Sequence, residues 1–89
     1  MEYSGKEARI CSENIENSLA FDKKIDESLD NVVAALKDMG LNNLVADGET
    51  LRKNWEEGLK ASHKQTREYY EKAEESFRAT YKAFGIEEA

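Results

Sequence analysis

The sequence predicts an all-α fold: two long helices joined by one turn into an antiparallel hairpin, dimerising into a four-helix bundle. Three observations lead there. Apolar residues recur every three or four positions along most of the 89 residues. Proline is absent and charged residues make up 36% of the chain, which suits long solvated helices and leaves too few turn residues for a sandwich or barrel. Turn chemistry is confined to Gly40–Thr50, GLNNLVADGET, where two glycines, two asparagines and one aspartate fall within eleven residues.

The first helix is expected over about 5–39. Its stripe is Ala8, Cys11, Ile15, Leu19, Ile25, Leu29, Val32, Val33, Leu36 and Met39. Polar runs such as SEN, DKK and DES separate these positions and form the solvated face. Ser4 or its neighbours can cap the start. Gly40 is a natural left-handed stop after Met39, with Leu41 placed to fold back on Leu36.

The turn is expected over 40–48: a tight turn at Gly40–Asn43, then an irregular or early helical segment through Gly48. Asn43 or Asp47 is the expected cap of the next helix. That second helix should run over about 49–84 and end at Gly85. Its stripe is Leu51, Trp55, Leu59, Ser62, Thr66, Tyr69/Tyr70, Ala73, Phe77, Thr80 and Phe84.

Helices of about 35 residues are about 50 Å long and, joined by a short turn, pack antiparallel. A two-helix seam covers only part of each stripe. Trp55, Phe77, Tyr81, Leu19 and Phe21 fan out beyond it and call for another covering surface. A second hairpin supplies one. The expected interface comprises Ile15, Leu19, Ile25, Leu29, Val32 and Leu36 on the first helix, with Leu51, Trp55, Leu59, Tyr70 and Phe77 on the second. One stripe serves a homodimer and a heterodimer equally.

The middle of the stripe is polar. Ser18 and Asp22 stand where heptad spacing expects core residues, and His63 and Thr66 interrupt the second helix. Folding about position 43 brings 18–22 level with roughly 64–68, a polar layer able to fix register and partner choice. Contact between His63 and Asp22 would weaken association above neutrality. Glu56–Lys60, Glu57–Lys60 and Glu68–Lys72 read as surface charge pairs.

Several function classes are disfavoured. The net charge of −6 leaves no basic face for nucleic acid and disfavours anionic membrane surfaces. No apolar run approaches the roughly 20 residues that span a bilayer, so membrane insertion is not expected. The opening MEYSGKEARICSEN has neither a basic start nor an apolar stretch, so no conventional signal peptide is expected. Cys11 is the single cysteine, which rules out an intrachain disulfide and a cysteine zinc cluster; it reads as a small buried hydrophobe. The single histidine lies far from Cys11 along a hairpin, Glu-x-x-His pairs are missing, and there is no glycine-rich phosphate loop. No catalytic, metal or cofactor site is expected.

Trp55-Glu56-Glu57-Gly58 has the spacing W-x-x-G, in the second helix, while the expected turn carries Val45-Ala46-Asp47-Gly48. Two C-terminal patterns accompany it: Phe84-Gly85-Ile86-Glu87-Glu88, F-x-x-x-E, and Tyr70-Glu71-Lys72-Ala73-Glu74, Y-x-x-x-E. With the length, the two helices, the glycine turn and the implied dimer, the chain resembles the WXG family of small helical type VII secretion substrates. Those carry W-x-G in the turn and a C-terminal Y-x-x-x-D/E export signal. This chain departs from them at the turn, where Trp is missing, and looks closer to the Trp-less LXG-associated helical proteins. The resemblance implies a protein partner, either a second hairpin or the helical N-terminal domain of an LXG toxin. It further implies secretion by the type VII route, with Phe84 and Glu88 as the export signal and Tyr70 and Glu74 as a second candidate. The alternative is a cytoplasmic dimeric helical adaptor or small regulator. Net charge alone also allows an acidic inhibitor of a basic nuclease.

Overall fold

The computed structural model describes residues 3–89. It contains α1 (Glu7–Asp38), α2 (Asn42–Trp55), a π-helical turn at Glu56–Lys60 and α3 (Ala61–Phe84), with no strand among the described residues. Because α2, the π turn and α3 follow without a break, the chain consists of two long helices. It divides into two compact units. The first comprises Met1–Leu19 with Lys64–Ala89, and the second Ala20–His63.

In the first unit the core is Ala8, Cys11 and Tyr81. Helix α1 starts under an unusual cap. The Ser4 backbone N–H donates to Glu7 Oε1 at 2.6 Å, and the Tyr81 hydroxyl donates to Glu7 Oε2 at 2.6 Å. That hydroxyl also accepts the Ala8 N–H at 3.0 Å, satisfying a first-turn donor that has no partner within its own helix. Phe77 stacks on Tyr81 and receives the edge of Tyr3. Helix α3 ends at left-handed Gly85, φ +67°, where the Ile86 N–H closes onto the Tyr81 carbonyl at 2.8 Å.

The second unit is a hairpin of its own. Helix α1 ends as the spacing predicts, with Gly40 at φ +71°. Gly40 N–H bonds to the Lys37 carbonyl at 3.0 Å, and Leu41 N–H to the Leu36 carbonyl at 3.1 Å. These two bonds satisfy carbonyls that the helix end would leave open. The chain then re-enters helix at once, so the expected turn over 40–48 contracts to Gly40–Leu41, and the second helix begins at Asn42 instead of about 49. Neither Asn43 nor Asp47 is the cap. Leu41 stands there, with no side-chain bond, its carbonyl accepting the N–H groups of Leu44 and Val45 at 3.0 Å.

Gly48 explains why helix wins over turn. A Cβ at this position would lie 3.2 Å from Val33 Cγ2 and 3.6 Å from Leu36 Cδ1. The glycine is there to let α1 approach α2, and that packing outweighs its poor helix propensity.

The inward face of α1 is Ala8, Cys11, Ile15, Ser18, Asp22, Ile25, Leu29, Val33 and Leu36, with Ser18 and Asp22 at core positions as expected. The second long helix needs a correction. Its buried and half-buried residues are Val45, Gly48, Arg52, Trp55 and Lys60, then His63, Arg67, Tyr70, Glu74, Phe77 and Tyr81, with Ala73 and Thr80 half-buried as expected. The step from Trp55 to His63 is eight residues, one more than a heptad. The π turn takes in the additional residue and keeps both Trp55 and His63 facing inward within the second unit. Leu59, Ser62, Thr66 and Tyr69, expected on an unbroken α-helical stripe, are exposed.

Candidate functional site

The second unit has two unlike flanks. On one, α1 and α2 are tied by ion pairs. Lys37 pairs with Glu49 at 3.6 Å, Arg52 with Asp30 at 2.6 Å, and Lys60 Nζ with Asp26 Oδ2 at 2.8 Å. Lys60 thus reaches across to α1, where a local pair with Glu56 or Glu57 was expected. Asp26 Oδ1 also accepts the Trp55 indole N–H at 2.8 Å. The Lys60 ammonium first, and the indole second, hold the Asp26 carboxyl below its ordinary value, and Asp26 in turn raises Lys60.

Between the two flanks lies a polar and aromatic cluster. Asp22 is buried, 4% exposed, with Oδ1 at 2.8 Å from His63 Nδ1. The contact between these two residues that the sequence allowed therefore occurs. The rings of Phe21, Trp55 and His63 meet edge to face, with centroids 5.8–6.4 Å apart. Trp55 is 8% exposed. This corrects the expectation that it fans out toward a partner: its ring is covered by the chain's own residues and its N–H is satisfied by Asp26.

The other flank is apolar. Phe21, Ile25, Ser28, Val32, Ala35 and Met39 recur at steps of four and three, a second heptad stripe on α1 beside the inward one. At 3.6 residues per turn, Asp26, Asp30 and Lys37 project from the far side of the helix. Phe21, Val32 and Met39 are about half exposed or more, as are Leu44, Leu51 and Leu59 on the second long helix. An open groove of about 300 Å³ is lined by Ile25, Leu29, Leu51, Asn54, Trp55 and Leu59, with Asn54 the only polar side chain among them. Leu44 and Leu51 are a heptad apart, and the π turn carries Leu59 round to the same groove. A Cβ on Gly58 would meet nothing within 4 Å, so none of the described residues requires the glycine.

Of the interface residues expected from sequence, Ile25, Leu29, Val32, Leu51, Trp55 and Leu59 therefore gather on or beside this groove. Leu36 lies half-buried against α2. Leu19 is about half exposed, while Ile15, Tyr70 and Phe77 are half-buried in the first unit. Tyr81, expected to fan outward, is only 2% exposed, since its hydroxyl is consumed by the cap on α1. Also in the first unit, the Arg67 guanidinium donates to Ser18 Oγ at 3.0 Å.

Both candidate export signals meet at Arg78. Its Nε donates to Glu88 Oε1 at 3.0 Å, and its Nη1 contacts Glu74. Phe84 stands 76% exposed on the last turn of α3, and Tyr70 is half-buried with Tyr69 edge-on. Sequence reasoning missed Arg78, although its i,i+4 spacing from Glu74 was a visible signal. It also missed Glu7, whose link to Tyr81 spans 74 positions and leaves no local trace.

Among the described residues no three His, Cys, Asp or Glu side chains converge as metal ligands, and no helix is long and apolar enough to cross a membrane. Compared with protein families, curated proteins and solved structures, the chain matches none.

Proposed function

We propose that this chain is a helical binding partner of the type VII secretion kind. In this reading it docks through the apolar flank of its second unit, onto a second copy or onto the helical domain of a secreted LXG toxin, and supplies an export signal at Phe84 and Glu88. One observation carries the binding half of the reading: α1 bears a second heptad stripe that the hairpin leaves largely uncovered, with Val32 and Met39 about half exposed or more. From α1, Ile25 of that stripe and Leu29 join Leu51 and Leu59 in a groove with no charged lining residue. A contiguous apolar flank of this kind marks a protein-binding site more readily than a solvated surface. The secretion half rests on the resemblance to the WXG and LXG-associated proteins and on the exposure of Phe84.

The test is expression in a bacterium with a type VII system and an LXG toxin. The wild-type chain should co-purify with the toxin's helical domain and reach the medium. Phe84→Ala/Glu88→Gln should keep the complex and lose export, whereas Val32→Glu/Leu51→Glu should lose the complex. Unchanged export of the Phe84/Glu88 variant would remove the signal assignment. Point substitutions are preferable to truncation, because residues 85–89 are bonded to the body of the first unit.

A second reading, a dimeric cytoplasmic adaptor, draws support from Trp55. It sits inside the second unit bonded to Asp26, and the tight turn at Gly40–Leu41 carries no tryptophan. Complex formation without any export would favour it.

A further inference from the structure

The segment following α3 is fastened down at several points. Gly85 in left-handed conformation turns it off the helix axis. Ala89 N–H then bonds to the Gly5 carbonyl at 2.9 Å, and Arg9 Nη1 to the Ala89 carbonyl at 3.2 Å. Glu88 is held by Arg78 Nε at 3.0 Å. Gly5 is the seat of this clasp. It is buried, has φ +79°, and a Cβ there would stand 2.1 Å from the Glu87 carbonyl oxygen. No other residue fits beneath the segment, on grounds of both backbone conformation and space.

The clasp has a consequence for the F-x-x-x-E pattern. On a continuing α-helix Phe84 and Glu88 would stand one turn apart on a single face. Here the helix stops at Phe84, Glu88 lies beyond a reversed turn, and one oxygen of its half-exposed carboxylate is bonded to Arg78.

We propose that residues 85–89 form a releasable clasp: closed on Gly5, Arg9 and Arg78 it holds Glu88 off the helical face that carries Phe84, and open it lets the helix continue and offers Phe84 and Glu88 together to the export receptor. This rests on the export reading above and adds its regulation. A receptor binding only the open form shifts the population toward it, and its apparent affinity falls by the closed fraction.

The experiment compares export of full-length wild type, Gly5→Val and Arg78→Gln in the same type VII host. Amide exchange of residues 86–89 is followed in each purified protein. Gly5→Val expels the segment outright, and Arg78→Gln frees Glu88 while leaving Gly5 intact, so one variant remains informative if the other fails to fold. Faster exchange at 86–89 in Gly5→Val, with several-fold greater export of either folded variant, is the expected result. Export at or below the wild-type level from a variant whose clasp is open overturns the clasp and leaves the signal standing. Absence of export from wild type and variants alike overturns the secretion reading, and the clasp with it.

Discussion

Glu7 receives hydrogen bonds from the Tyr81 hydroxyl and the Ser4 N–H, and these hold its carboxyl at about 2, well below the ordinary 4.5. The Tyr81 phenol shifts upward, through burial first and its bond to Glu7 second. A carboxyl with a depressed folded-state value stabilises the fold fully above its unfolded value, and that contribution is lost as pH falls through the folded one. Between about pH 4.5 and 2 the wild type should therefore lose thermal stability faster than Glu7→Gln, with the two curves converging toward pH 2. Thermal melts followed by circular dichroism across that window check this. Parallel curves would show that Glu7 is not the linkage. Tyr81→Phe strips away both the bond to Glu7 and the bond from Ala8, and should lower Tm at neutral pH. In that background, adding Glu7→Gln should change the pH dependence much less than it does in the wild type.

Helix elements were largely readable in the sequence, and their failures have physical causes. Helix α1 was legible at both ends because its stop is local chemistry: a left-handed glycine followed by a leucine that returns to Leu36. Ser18 and Asp22 were legible as core positions by spacing alone. The start of the second long helix was not, because Asp47-Gly48 has turn composition, and only the tertiary fact of Val33 lying against Gly48 overrides it. Beyond Trp55 the expected stripe holds at Tyr70, Ala73, Phe77 and Thr80 and fails at Leu59, Ser62 and Thr66, next to the π turn, which leaves no mark in an apolar pattern. Trp55 itself was read as outward because its partner Asp26 lies 29 positions away. The π turn yields its own prediction. Deleting Gly58 should convert Glu56–Lys60 to ordinary α-helix while leaving Trp55 and the residues from His63 onward facing inward. That deletion should keep the helical signal and Tm close to wild type, or raise them. Deleting Gln65 instead, where no spare residue exists, should turn Arg67, Tyr70 and Tyr81 off the seam and lower Tm sharply. Equal damage from the two deletions would contradict the assignment of the additional residue to the π turn.

At the scale of the whole molecule, the tension is between a highly charged chain and the apolar surface it leaves uncovered. Charged residues are 36% of the sequence, yet on the groove-bearing flank they give way to Phe21, Val32, Leu51 and Leu59. The interhelical ion pairs of that unit stand on the opposite side. Segregation of this kind is what a helix serving two seams requires, one within the chain and one toward another protein. The net charge of −6 sets a mild repulsion between copies, so association of like chains should strengthen with added salt. In the purified protein the apolar flank is expected to close on a second copy. Sedimentation velocity at tens of micromolar, comparing wild type with Val32→Glu/Leu51→Glu, tests this most directly. The wild type should sediment well above the 10.1 kDa of one chain, and the variant as a single chain with the same helical signal. A wild type that sediments as one chain and melts cooperatively would contradict the claim that this flank is built to be covered.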